Sequence, residues 1–353
     1  MHVRLADIAA HAGVSEATVS RVLNEKPGVT ADKRQLVLTA LDVLGYERPS
    51  RLRRRSAGLV GLIVPELTNP IFPAFAQVIE AELAQRGYTP VLCTEAPGGA
   101  TEDDFIEQLL ERGVSGMVFV SGLHADTAAD HQRYRRLIER RLPVVFINGH
   151  VPDLEAPFIS DDDVAAMELA VGHLVSLGHR AIGLAVGPDR FVPVIRKVDG
   201  FRAAMQARLS LSEPEIDCLI EHSMFSVEGG QAAAARLLDG GATAIVCGSD
   251  MMALGAVRAA RQRGLDVPDD VSVVGYDDSP LIAFTDPPLT TVRQSVPAMG
   301  SAAVRALLDE IGHLPTPHAE YVFRPELIVR GSTGAAPDQK LTMVGDRTVT
   351  GRA

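Results

Sequence analysis

The sequence predicts an all-α helix-turn-helix head joined to a bilobed α/β body built on two doubly wound parallel sheets. Three observations carry that expectation. A segment near the N-terminus has the pattern of two short crossed helices. From residue 59 the pattern changes to apolar runs alternating with helix-length amphipathic stretches. The charge divides unevenly between these parts. With 353 residues, 46% of them hydrophobic, the chain is long enough for two or three domains and a substantial core.

Residues 5–24 read LADIAAHAGVSEATVSRVLN. Two helices can meet at Gly13, which takes the positive φ of a tight turn at no steric cost. Leu5, Ile8, Ala12, Val14, Val19 and Val22 fall where a helix-turn-helix buries apolar side chains. Ala9 is small where the helices cross. Ser15 is placed to cap the second helix. That helix then shows Glu16, Ala17, Thr18, Ser20, Arg21 and Asn24 to solvent, a set that suits a helix laid in a DNA major groove. An ordinary helical hairpin is the bland alternative. The glycine, the small residue, the cap and the apolar positions agreeing at once argue against it. Thr30 is placed to cap a third helix over residues 31–44, with Leu36, Val37, Ala40, Leu41 and Leu44 on one stripe. The head is expected to end at residue 46.

The net charge of −11 looks wrong for a DNA-binding chain, and its distribution removes the conflict. Residues 1–57 hold ten Lys/Arg and six Asp/Glu, a net +4, and the remainder holds 24 and 39, a net −15. A basic head on an acidic body suits a protein whose head alone touches phosphate. Residues 47–58 carry Arg51, Arg53, Arg54 and Arg55 after Pro49. They read either as a solvated linker or as a hinge that becomes helical when DNA neutralises the arginines, with side chains entering the minor groove. Their position directly after a DNA-reading motif favours the hinge.

Strand-like runs are expected at 59–64, 90–93, 117–120, 144–147, 182–186, 244–247 and 271–276. Several intervening helices end on a glycine: Gly87, Gly113, Gly178 and Gly264. Glycine just past a helix closes it in the left-handed region. Strand, helix, glycine, strand is the pattern of a parallel sheet covered on both faces. The repeat spans too much chain for one sheet. It is divided near residue 159 into lobe 1 (59–158 plus 293–320) and lobe 2 (159–288 plus 321–331), with runs 289–292 and 321–323 crossing between them. Two such sheets bind a small molecule at their strand C-terminal ends. Residues 332–353 show no periodicity and read as a disordered tail.

Cys93, Cys218 and Cys247 are odd in number and scattered in apolar runs, so they read as buried thiols of a reducing cytosol. No 18-residue apolar run and no secretory signal is present. The turn after the first strand, Pro65-Glu66-Leu67-Thr68-Asn69-Pro70, lacks the glycines of a dinucleotide site. HExxH and GxSxG are absent as well, which argues against an enzyme. No metal, cofactor or catalytic residue is expected.

These features in this order resemble the lac repressor family of bacterial transcription regulators. The resemblance covers residues 3–331. It rests on the segment from Ser15 to Asn24, Leu44-Gly45-Tyr46, Asn69-Pro70-Ile71-Phe72, Leu177-Gly178-His179, Ser249-Asp250-Met251-Met252-Ala253-Leu254-Gly255, the segment from Asp270 to Asp278, and Pro288-Leu289-Thr290-Thr291-Val292. Ala156-Pro157-Phe158-Ile159-Ser160 and Phe191-Val192-Pro193-Val194 are similar to actinobacterial maltose-utilisation repressors.

The resemblance implies a periplasmic-binding-protein-like body and a homodimer that binds a roughly palindromic double-stranded DNA operator. It further implies a nucleoid-associated cytoplasmic location and no contact with a membrane. Glu16, Ala17 and Arg21 stand where family members read bases. Ser15, Thr18, Ser20 and Asn24 stand where they position the backbone. Two readings of the hinge stand. Either Leu52 is the minor-groove wedge in a shifted register, or Arg51, Arg53, Arg54 and Arg55 bend the DNA instead. For a sugar effector between the lobes, the resemblance implies Ile71, Phe72, Asp161, Lys197, Met224 or Phe225, Ser249, Asp277 and Gln294. Lys197 replaces an arginine that usually clamps the effector, with Arg196 beside it as a substitute, and Arg190 keeps an anionic ligand in play. Asp250 is expected mainly to cap a helix. The implied function is repression controlled by maltose or a maltodextrin. The alternatives are a corepressor-dependent or activating regulator of another metabolite, and a sugar-binding protein without a DNA role.

Overall fold

The computed structural model describes residues 4–24, 26–44, 57–95 and 98–337. The expected hinge residues Arg51, Leu52, Arg53, Arg54 and Arg55 lie outside the described residues, as do Gly45 and Tyr46.

The head comprises α1 (Leu5–Ala12), α2 (Glu16–Leu23) and α3 (Ala31–Val43). Gly13 closes α1 at φ 62° and lets the chain turn into α2. Ser15 Oγ accepts from Thr18 N–H at 3.3 Å, and Thr30 caps α3 through the Lys33 N–H. Ile8, Ala9, Ala12, Val19, Val22, Leu23, Val37, Ala40 and Leu41 form one buried cluster. Leu5 and Leu36, expected inside, are exposed because each sits at the rim of a core only three helices wide.

The body holds two sheets. The first contains β1 (Gly58–Val64), β2 (Tyr88–Thr94), β3 (Gly116–Val120), β4 (Val144–Ile147), β5 (Phe158–Asp161) and β11 (Glu320–Phe323), in the order β11-β5-β4-β3-β1-β2. The second contains β6 (Ile182–Val186), β7 (Ile220–His222), β8 (Ala244–Cys247), β9 (Ser272–Asp277), β10 (Thr290–Arg293) and β12 (Glu326–Ile328), in the order β12-β10-β9-β8-β6-β7. Both are doubly wound, and every pairing is parallel except β10 with β12. The connecting helices are α4 (Ile71–Gln85), α5 (Glu102–Glu111), α6 (Gln132–Glu139), α7 (Asp163–Ser176), α8 (Val192–Leu209), α9 (Glu213–Asp217), α10 (Val227–Asp239), α11 (Asp250–Gln262) and α12 (Val296–Ile311). Gly87, Gly113, Gly178 and Gly264 all take positive φ, as their place after helices requires.

Three expected boundaries move. The first crossing lies after Asp161, because β5 pairs with β4 and β11 in the first sheet. The second lies after Arg293, since β10 completes the second sheet beside β9. The third lies after Phe323, so the run at 321–323 belongs to lobe 1 and only β12 returns to lobe 2. The tail also starts later than residue 332. Ser332 is buried, its Oγ donating to the Val273 carbonyl and accepting from Thr290 N–H, and Ala336 N–H reaches the Leu177 carbonyl at 2.9 Å. His179 bolts this segment down, with Nδ1 at 2.9 Å from Thr243 Oγ1 and Nε2 at 3.1 Å from the Gly334 carbonyl. Cys93 and Cys247 are buried as expected. Cys218 is exposed, since it follows the short helix α9 at the surface.

Candidate functional site: a head helix and an interlobe cleft

On the head, α2 buries Val19, Val22 and Leu23 and leaves Ser15, Glu16, Ala17, Arg21 and Asn24 exposed, with Thr18 and Ser20 partly so. Asn24 Nδ2 donates to the Ser20 carbonyl at 2.7 Å and Ser15 Oγ lies 3.0 Å from Thr18 Oγ1. The expected surface is therefore assembled on one helix, with two of its polar groups holding the helix ends.

In the body, the C-terminal ends of β1 and β3 in lobe 1 face those of β6, β8 and β9 in lobe 2. A cavity of about 280 Å³ lies between them. Ile71, Phe72, Lys197, Phe225, Ser249, Asp277 and Gln294 all line it. Ser121, Asn148 and Asp277, each at the end of a strand, carry positive φ and border the cavity. Strained backbone of this kind persists where surrounding structure holds it and gathers at binding sites.

The polar wall of lobe 2 is specific. Gln294 Nε2 donates to Asp277 Oδ1 at 2.7 Å. Asp277 Oδ2 and Gln294 Oε1 are buried beside the cavity without a hydrogen-bond partner. Burial, reinforced by the nearby Asp250, pushes the Asp277 carboxyl well above the usual range. Lys197 is 4% exposed, ion-pairs with Asp163 and sits 3.8 Å from the centre of the Tyr276 ring. Five acids, Glu66, Glu95, Glu102, Asp163 and Asp277, line the cavity against that one cation.

Two expected effector residues are not among the cavity's lining. Asp161 is buried behind the wall, where it accepts from Tyr276 Oη at 2.8 Å, and burial raises its pKa to about 7. Met224 is 67% exposed, while its neighbour Phe225 turns inward beside Phe191, ring centres 6.2 Å apart. Arg196 does not substitute for Lys197. It forms a two-pronged ion pair with Glu320 of lobe 1, at 2.6 and 3.0 Å. Asp250 does not cap α11. Ser249 does, and Asp250 instead accepts from Ser279 N–H and Thr291 Oγ1, both at 2.7 Å. Asp278 serves the fold through Arg293 and Arg330. Sequence reasoning missed Glu102, Asn148, Tyr276 and Phe191. Tyr276 stands beside Asp277 in a family motif and Phe191 opens the phrase Phe191-Val192-Pro193-Val194, so both were within reach, but Glu102 and Asn148 have no local signal.

The lobes are also strapped together at one mouth of the cavity. Arg190 Nε donates to Asp126 Oδ2 at 2.7 Å, Thr127 N–H reaches the Arg190 carbonyl at 2.9 Å, and Asp126 pairs with Phe191 as an isolated bridge. Arg190 is thus engaged across the cleft.

Comparison with known proteins settles the family. Residues 4–49 match the model of the bacterial regulatory proteins of the lacI family, and residues 171–333 match a periplasmic binding protein-like domain. The chain is 67% identical to the HTH-type transcriptional regulator MalR of Streptomyces coelicolor, over 96% of this chain and 99% of that protein. The chain belongs to the lacI family of transcription regulators. Among other members it is 33% identical to the repressor CytR of Escherichia coli, over 94% of this chain and 96% of that one. Among solved structures it resembles a complex of the transcriptional regulator CelR with cellobiose, with TM-score 0.69 and 30% identity over 94% of this chain and all of that one. It also resembles a lac repressor dimer bound to operator and an anti-inducer, with TM-score 0.68 and 27% identity over 95% of this chain and all of that one. As a member of this family the protein is a DNA-binding transcription regulator and not an enzyme. Among the described residues no helix is long and apolar enough to cross a membrane.

Proposed function

We propose that the protein is a cytoplasmic homodimeric repressor whose affinity for a roughly palindromic operator falls when a small neutral sugar, maltose or a short maltodextrin, binds between the lobes. The observation that carries the sugar reading is the pair of unpartnered buried oxygens on Asp277 and Gln294. Buried polar atoms without partners are rare, and a sugar hydroxyl both donates and accepts, so it satisfies either protonation state of Asp277. The five-to-one excess of acids over cations lining the cavity disfavours an anion, and Phe72, Phe191 and Phe225 offer flat apolar faces to a sugar ring. The 67% identity to MalR supports the same reading.

On the head, Arg21 is the candidate for bidentate reading of a guanine, Glu16 and Ala17 make adjacent contacts, and Ser15, Thr18, Ser20 and Asn24 position the backbone. Arg51, Leu52, Arg53, Arg54 and Arg55 supply the hinge. Exposed Leu281 and Phe284, and the exposed Leu92 on edge strand β2, suit burial against a second copy. Calorimetry of the full chain against glucose, maltose, maltotriose, cellobiose and ribose tests the cleft. Saturable binding of the α-glucans is expected. Failure of all α-glucans with binding of another member of the panel removes the maltose assignment.

A further inference from the structure

Glu102 opens α5 on the lobe 1 side of the cavity, and its side chain is the least expected of the lining groups. It is 1% exposed. It accepts from Tyr134 Oη, which is itself fixed among Phe119, Phe146 and His124, and from Leu123 N–H at 3.2 Å. Both donors are neutral, so the carboxyl is held in place without being neutralised by them. Burial accordingly pushes its pKa up. A carboxylate offers about four acceptor positions, of which these two hydrogen bonds use two. Gly122 leaves the space this arrangement needs, since a Cβ there would stand 2.5 Å from Glu102 Oε2. On the facing lobe stand Asp277 and Gln294 with their unpartnered oxygens.

We propose that Glu102 is a specificity-determining residue of the cleft. With Asp277 on the opposite lobe it forms a two-sided carboxyl clamp that takes hydroxyl groups from both sides of one neutral polyol and rejects anionic ligands. This deepens the sugar reading and rests on it. The clamp also gives the ligand a reason to favour one lobe arrangement, because a molecule bonded to both lobes has a different interaction free energy at each lobe spacing.

The test uses the full chain, Glu102→Gln and Glu102→Leu. Calorimetry measures maltose, or whichever sugar of the panel binds the parent, together with the anionic aldonate maltobionate. Thermal melts and sugar-free operator binding report folding. Removing a hydrogen bond to a charged or buried group weakens binding by about tenfold or more, so Glu102→Gln is expected to bind the neutral sugar about tenfold less tightly and Glu102→Leu less tightly still. The affinity ratio is expected to move toward maltobionate in both. A purely structural brace lowers the melting temperature but leaves affinity and ratio unchanged in the folded variants, and that result overturns the clamp while leaving the sugar reading intact. A parent that binds no sugar overturns both.

Discussion

At the scale of single residues, the body keeps acids where water cannot reach them. Asp161 sits 2% exposed behind the cleft, with burial raising its pKa to about 7 and Asp163 adding to the rise. A raised carboxyl means that between about pH 4 and 7 the folded chain holds a proton the unfolded chain has released. Its contribution to stability is therefore full at the acid end of that window and is lost as pH rises toward 7. Asp161→Asn keeps an acceptor for Tyr276 and removes the ionisation. The variant is expected to gain melting temperature relative to the parent at pH 8 and little at pH 5. An equal shift at both pH values would assign Asp161 no such role. The same scale shows where sequence reasoning ran short. Asp277, Gln294, Lys197 and Ser249 were legible because they stand in or beside motif phrases. Glu102 was not, because α5 brings it to the cavity only through tertiary packing, and nothing in Thr101-Glu102-Asp103-Asp104 separates a buried acid from an ordinary acidic first turn.

At the scale of elements, every expected strand run formed a strand. Central parallel strands are buried on both faces and so read as unbroken apolar runs. β5, β7 and β12 were missed: β5 because Ser160 and Asp161 end it with polar groups, which also moved the first lobe crossing, and β7 and β12 because each has three residues and a glutamate. The ties between lobes were invisible in sequence for the same reason as Glu102. Their strengths differ. The Arg190–Asp126 pair leaves the guanidinium side half exposed, where an ion pair contributes about 0.2–1 kcal/mol. The Arg196–Glu320 pair is two-pronged and better shielded, and such geometry is stronger. Arg196→Ala is thus expected to change sugar affinity more than Arg190→Ala, which should alter it by about fivefold at most. Equal affinities in both variants and the parent, measured by the same calorimetry, would show that these ties do not bias the lobes.

At the scale of the whole molecule, charge divides the labour. The head carries +4 and the body −15, so the long-range attraction to DNA belongs to residues 1–57. Replacing Arg53, Arg54 and Arg55 by alanine is expected to flatten the dependence of operator affinity on salt by up to ~0.9 in log–log slope for each phosphate that is no longer neutralised. An unchanged slope would contradict the hinge proposal. Coupling between a cleft in the body and a helix in the head is a free-energy difference between lobe arrangements, about 1–3 kcal/mol in typical allosteric proteins. The most direct test is operator binding by the full chain at fixed salt, followed by fluorescence anisotropy with and without maltose at a concentration that calorimetry shows to be saturating. A fall in operator affinity of about fivefold to 150-fold is expected. Unchanged affinity with the cleft occupied, or tighter binding, would contradict a repressor released by its sugar.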